Sequence, residues 1–194
     1  MPHHFDDADR WAAVFDAPER DAWQHPDEVV ARVAVRDDLR VVDIGAGTGY
    51  FAARFARHLP RGEVVAVDIE PTLVAHLTKR AHDQGLTNLV AHLGKPDDPA
   101  LGAWSGKVDV VFTCDTYHHI GDRVAYFRRV ADALAPGGRV VVVDFKPDSP
   151  RGPPPDHKIA PEVVDRELGE AGLALVEAWD GLPDQYLRIY TRGR

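Results

Sequence analysis

The chain has 194 residues, 44% of them hydrophobic and 28% charged, with a formal charge of −8 and one cysteine, Cys114. Those figures describe a soluble single domain with a core of its own and exclude an intrachain disulfide framework or a multi-cysteine metal site. The acidic balance, without a basic cluster, opposes a nucleic-acid substrate; no apolar run reaches membrane-spanning length and no secretory pattern opens the chain, so a cytoplasmic protein without a membrane span is expected.

Residues 5–35 read as short amphipathic helices, with Trp11, Val14, Phe15 and Trp23 as apolar positions, breaks at Pro18 and Pro26, and a last helix over 27–35. This stretch, 1–36, either packs on the domain or forms a lid over a ligand cleft. From Leu39 the pattern repeats as strand, turn, helix. Strands are expected over 39–44, 63–68, 88–93, 107–114, 138–144, 173–179 and 185–192, and helices over 49–58, 71–84, 121–135 and 160–171. The first five strands are near-continuous Val/Ile/Leu runs, as when helices cover both faces of a sheet. The expected fold class is α/β, a Rossmann-like doubly wound sheet. The last two strands are joined by Gly181-Leu182-Pro183-Asp184, too short for a crossover, so they should pair antiparallel. One domain over 1–194 is expected, divided into a helical cap (1–36), a cofactor-binding core (37–145), a proline-rich loop (146–161) and a C-terminal helix with its strand pair (162–194). Six prolines in 146–161 leave no room for regular structure. That loop follows the fifth strand and so emerges at the edge where open α/β sheets bind ligands.

The chemistry centres on Val41-Val42-Asp43-Ile44-Gly45-Ala46-Gly47-Thr48-Gly49-Tyr50. A buried strand ends in three glycines at alternate positions and passes into a helix, so the backbone of Gly45, Ala46, Gly47, Gly49 and Tyr50 can approach a ligand. The dinucleotide fingerprint G-x-G-x-x-G has a glycine where this chain has Tyr50. Asp43 stands where a pyrophosphate would lie; its charge repels phosphate and favours an ammonium-bearing ligand such as S-adenosyl-L-methionine. Asp68, ending the second strand about twenty residues on, suits both hydroxyls of a ribose, and Ile69 can press on an adenine face.

Three stretches resemble class I S-adenosylmethionine-dependent methyltransferases, and in particular the small-molecule branch that includes the ubiquinone/menaquinone-biosynthesis type. They are Val42 to Gly49, Val67-Asp68-Ile69, and Leu134-Ala135-Pro136-Gly137-Gly138-Arg139-Val140. The resemblance covers about 39–145 and implies a seven-stranded sheet whose last strand is antiparallel. It also implies S-adenosyl-L-methionine as cofactor, S-adenosyl-L-homocysteine as product and a small-molecule acceptor. The family's Gly-Asp-Ala after the third strand, whose Asp meets the adenine amino group, is replaced by Gly94-Lys95-Pro96; Lys95, Asp97 or a backbone carbonyl takes that place.

In this fold the end of the fourth strand, at Thr113 and Cys114, lies beside the methyl group and the acceptor. Methyl transfer needs the two aligned at about 3 Å with water excluded, and a base only for a protonated acceptor. His118, His119 and, in the proline-rich loop, His157 are the candidate bases. Tyr117, Gln185 and Tyr186 either line the acceptor pocket or pack the core. A metal-assisted variant would use Asp115 and Asp144 at the ends of strands four and five; the residue after Asp144 is Phe145 where the metal-dependent pattern has Asn, and no metal is expected. The alternatives are an NAD-dependent oxidoreductase and a catalytically silent adenosyl-cofactor-binding module. The acceptor and the oligomeric state, monomer or homodimer, are left open.

Overall fold

Alternation along the strands builds the molecule, described here from a computed structural model over residues 16–193. Along β2 (Glu63–Asp68), Val64 and Ala66 enter one apolar cluster while Val65 and Val67 enter the other. Along β5 (Leu134–Phe145), Val141 and Val143 face the first cluster, Val140 and Val142 the second. A strand that buries both faces needs helices on both, and the sheet has them. The first face takes residues of α2 (Pro26–Val33), α3 (Tyr50–His58) and α4 (Pro71–Asp83). The second takes residues of α5 (Arg123–Ala133) and α6 (Pro161–Glu170).

With β1 (Arg40–Ile44), β3 (Leu89–Leu93), β4 (Val108–Cys114), β6 (Leu173–Trp179) and β7 (Gln185–Arg192), the seven strands lie in the order β3-β2-β1-β4-β5-β7-β6. Pairings among β1 to β5 are parallel, and β7 runs antiparallel to both β5 and β6. The strand order reverses between β1 and β4, so the loops leaving their carboxyl ends part there and open a crevice.

The expected elements appear with two differences. The stretch assigned to a helix over 121–135 and a strand from 138 divides earlier, because β5 begins at Leu134 and runs through Pro136-Gly137-Gly138. Gly137 has φ +78°, and a Cβ on Gly138 would stand 2.7 Å from the Val108 carbonyl oxygen, so the glycines let the two strands meet closely. The proline-rich loop, expected to be wholly irregular, holds a single 3-10 turn over Pro155–His157. Ahead of the sheet, α1 (Glu19–Gln24) lies between the two expected breaks and α2 takes the place of the last expected short helix, with Pro26 in its first turn, where its missing N–H costs nothing. Trp11, Val14 and Phe15 lie outside the described residues. Among the described residues no helix is long and apolar enough to cross a membrane.

Candidate active site

Gly45, Gly47 and Gly49 have φ of +72°, +56° and +92°, so all three alternate glycines occupy the left-handed region that a side chain resists. Gly45 is also tightly covered: a Cβ there would lie 2.2 Å from Thr116 Oγ1. The turn is held from behind by the second strand, since the N–H groups of Gly45 and Ala46 donate to the Val67 carbonyl at 2.9 and 3.0 Å. The Gly47 N–H donates to Asp68 Oδ2 at 2.9 Å, and the Glu70 N–H to Asp68 Oδ1 at 3.0 Å. Asp68 is therefore oriented by two backbone donors, which oppose the rise in its proton affinity caused by burial.

Asp43, 3% exposed, stands at the end of β1 against the same turn. Burial pushes its pKa up to about 7, against the pull of the Arg20 guanidinium. Both Asp43 and Thr48 belong to the wall of a cleft; the Thr48 hydroxyl is buried without a hydrogen-bond partner. The cleft has a volume of about 590 Å³, within the range of small-molecule and cofactor sites.

The structure gathers most of the expected residues along this cleft. Asp43, Gly45, Ala46, Gly47, Tyr50, Asp68, Ile69, Lys95, Asp97, Cys114 and His119 line it. Ile69 is 48% exposed, an apolar side chain held open to the cleft. Gly49 caps α3 behind the turn, and Thr113 is wholly buried outside the lining.

The histidines separate. His118 is turned inward, its Nδ1 3.0 Å from both carboxylate oxygens of the buried Asp144. His119 faces the cleft with its ring centroid 4.2 Å from that of His118. His157 stands exposed on its 3-10 turn and is not brought to the cleft. Tyr117 and Tyr186 pack the second apolar cluster, their hydroxyls donating to Glu167 and to the Ile159 carbonyl. Among the described residues no group of three or more His, Cys, Asp or Glu is arranged to hold a metal ion.

Sequence reasoning singled out Asp115 and Gln185 at the other end of the cleft but missed the two side chains that join them, Arg20 and Gln24. Asp115 follows β4 with φ +56°, a conformation rare for a side-chain-bearing residue. Its carboxylate accepts from Arg20 Nη2 at 3.1 Å, from Gln24 Nε2 at 3.2 Å and from Gln185 Nε2. Gln24 Nε2 also lies 2.9 Å from Gln185 Oε1 and 2.9 Å from Cys114 Sγ. Burial raises the Asp115 pKa to about 6 despite Arg20. The available signal was the spacing of Arg20 and Gln24, one turn apart between two prolines, which sets both on one face of a short helix. The guanidinium of Arg20 stacks on the Tyr50 ring, 4.1 Å from its centroid, while the Tyr50 hydroxyl donates to Asp21 at 2.5 Å.

Against known proteins, residues 42–140 match the family model described as Methyltransferase domain. The chain is 34% identical over 117 residues to the ubiquinone/menaquinone biosynthesis C-methyltransferase UbiE of Ralstonia pickettii, covering 60% of this chain and 47% of that protein. It thus spans about half the length of the curated relatives it matches. Among solved structures, a SAM-dependent methyltransferase from Aquifex aeolicus superposes with a TM-score of 0.87 at 19% identity, over 95% of this chain and 97% of that one. The [4+2]-cyclase SpnF superposes with a TM-score of 0.70 at 22% identity, over 82% of this chain and 59% of that one. At such identities the likeness is one of fold.

Proposed function

The chain belongs to the methyltransferase-domain family, and from that premise we propose that it binds S-adenosyl-L-methionine and transfers its methyl group to a small-molecule acceptor. The observation that carries this is the pair of buried carboxylates, Asp43 and Asp68, on either side of a glycine turn at the carboxyl ends of adjacent strands. A dinucleotide would bring its pyrophosphate against Asp43; an adenosyl amino acid brings no phosphate and carries an ammonium group. The left-handed glycines give the same ligand a backbone it can approach.

In this reading Asp68 takes the ribose hydroxyls, Ile69 covers the adenine, and the Gly45–Gly49 turn and Asp43 hold the amino-acid end. When bound, the cofactor supplies a methyl group on a positively charged sulfur, which needs no further activation. The protein's part is to align the acceptor and exclude water. Residues 16–33 act as the cap, and His119, the one candidate histidine in the cleft lining, receives a proton where the acceptor carries one. The acceptor is a small molecule rather than a nucleic acid, and the protein works in the cytoplasm as a monomer or homodimer.

Calorimetry separates this from the nicotinamide reading. S-Adenosyl-L-homocysteine is expected to bind and NAD to fail; binding of NAD alone would overturn the proposal. Formation of S-adenosylhomocysteine across a panel of metabolites then tests transfer, and tight cofactor binding with no product on any of them would favour a silent binding module.

A further inference from the structure

The cleft lining contains five aspartates (43, 68, 97, 115 and 122) and two formal cations, Arg20 and Lys95, and the two cations lie at opposite ends. Lys95 sits on the turn after β3, where the neighbouring Gly94 N–H donates to the Asp68 carbonyl at 2.9 Å. Arg20 reaches in from α1 at the end formed by Asp43, Tyr50 and Asp115. It lies 3.1 Å from Asp115 and shares the cleft wall with Asp43 and Cys114, and its charge opposes the effect of burial on all three.

The helix that carries it is held in place on both sides. Trp23 packs on Phe145 with ring centroids 5.8 Å apart, and Asp21 bonds the Tyr50 hydroxyl and pairs with Arg54 at 2.8 Å. Within the helix, Arg20 Nε donates to Gln24 Oε1, which directs the guanidinium toward the cleft.

With Asp68 on the ribose, the amino-acid end of the cofactor falls at the Asp43 end. That end carries an ammonium and a carboxylate. Asp43 suits the ammonium, but a carboxylate among aspartates in a partly desolvated cleft needs a cation of its own. A planar guanidinium with parallel N–H donors matches a carboxylate in geometry as well as charge. We propose that Arg20 binds the carboxylate of the cofactor's amino-acid end, so that the N-terminal segment supplies part of the cofactor site. The assignment rests on the cofactor reading above. It does not require Arg20 to be idle beforehand: if the guanidinium turns from Asp115 to the ligand, Asp115 keeps the donors of Gln24 and Gln185.

The test compares two ligands that differ only in that carboxylate, S-adenosylmethionine and decarboxylated S-adenosylmethionine, by calorimetry on the full chain without acceptor. The wild-type protein should bind the carboxylated form at least about ten-fold more tightly. Arg20→Gln should remove that preference while leaving affinity for the decarboxylated form within about two-fold, and Arg20→Lys should keep part of it. Equal weakening of both ligands, or no change in either, overturns the assignment alone. A wild-type protein that binds neither overturns the cofactor reading and this assignment with it. Thermal melting of each variant establishes that the fold is retained.

Discussion

The two ends of the cleft are made in different ways. At the Asp68 end, ligand-facing groups come from a continuous pattern of strand and turn, and their partners are mostly backbone amides: Val67 under the glycine turn, Gly47 and Glu70 on Asp68. At the Asp115 end, three side chains from distant parts of the chain converge on one carboxylate. Arg20 and Gln24 belong to α1, Asp115 follows β4 and Gln185 opens β7. Backbone geometry tolerates little change, whereas a side-chain network can be rebuilt. The first end is fixed by the backbone, and the second by side chains that can rearrange around a ligand.

The comparison is broken most forcefully at Gly45. Gly45→Ala forces a left-handed alanine and a Cβ 2.2 Å from Thr116 Oγ1, and a loss of about 2–4 kcal/mol in urea denaturation is expected. Adding Thr116→Ala should recover part of that loss; no recovery would mean that strain, not overlap, dominates.

Asp68→Ala comes next. It frees two backbone donors and removes the acceptor proposed for the ribose, and S-adenosylhomocysteine affinity should fall about 10–100-fold by calorimetry.

At the other end the same measurement should show less. Gln185→Ala breaks hydrogen bonds among buried groups and should cost about 1–2 kcal/mol of stability, with S-adenosylhomocysteine affinity within about three-fold of wild type. A loss as large as that of Asp68→Ala would erase the distinction between the two ends.

The last effect is one of pH. Asp43 and Asp115 have folded pKa values raised to about 7 and about 6 by burial, above their unfolded value of 3.8. Between pH 4 and 7 the folded state therefore holds more protons than the unfolded one, and these two groups make stability fall as pH rises through that window. Asp43→Asn should flatten the slope, read as the difference in urea midpoint between pH 5 and pH 8.

The same contrast explains what the sequence disclosed. Asp43, the glycines and Asp68 were legible because each is tied to a strand end and a turn by near neighbours in the chain, so spacing alone locates it. Arg20 and Gln24 were not, because their partners stand 95 and 161 residues away, and no local pattern announces which face of a six-residue helix meets which strand end. His118 and His119 were legible only as a pair. Their separation depends on Asp144, which draws one of them inward from β5. The early start of β5 escaped because Pro136-Gly137-Gly138 reads locally as a break, while pairing with β4 carries the strand through it.

Thr116 belongs to the loop that leads to His119, yet its side chain occupies the space above Gly45; its hydroxyl donates to the Cys114 carbonyl at 3.0 Å and lies 3.4 Å from the Gly45 carbonyl. The loop after β4 is thus not a detachable module. Grafting a different loop after β4 onto this chain would have to preserve a side chain no larger than threonine at that place, or the graft would reshape the turn beneath it. The segment after β5 does not fill that space and can be exchanged without this constraint.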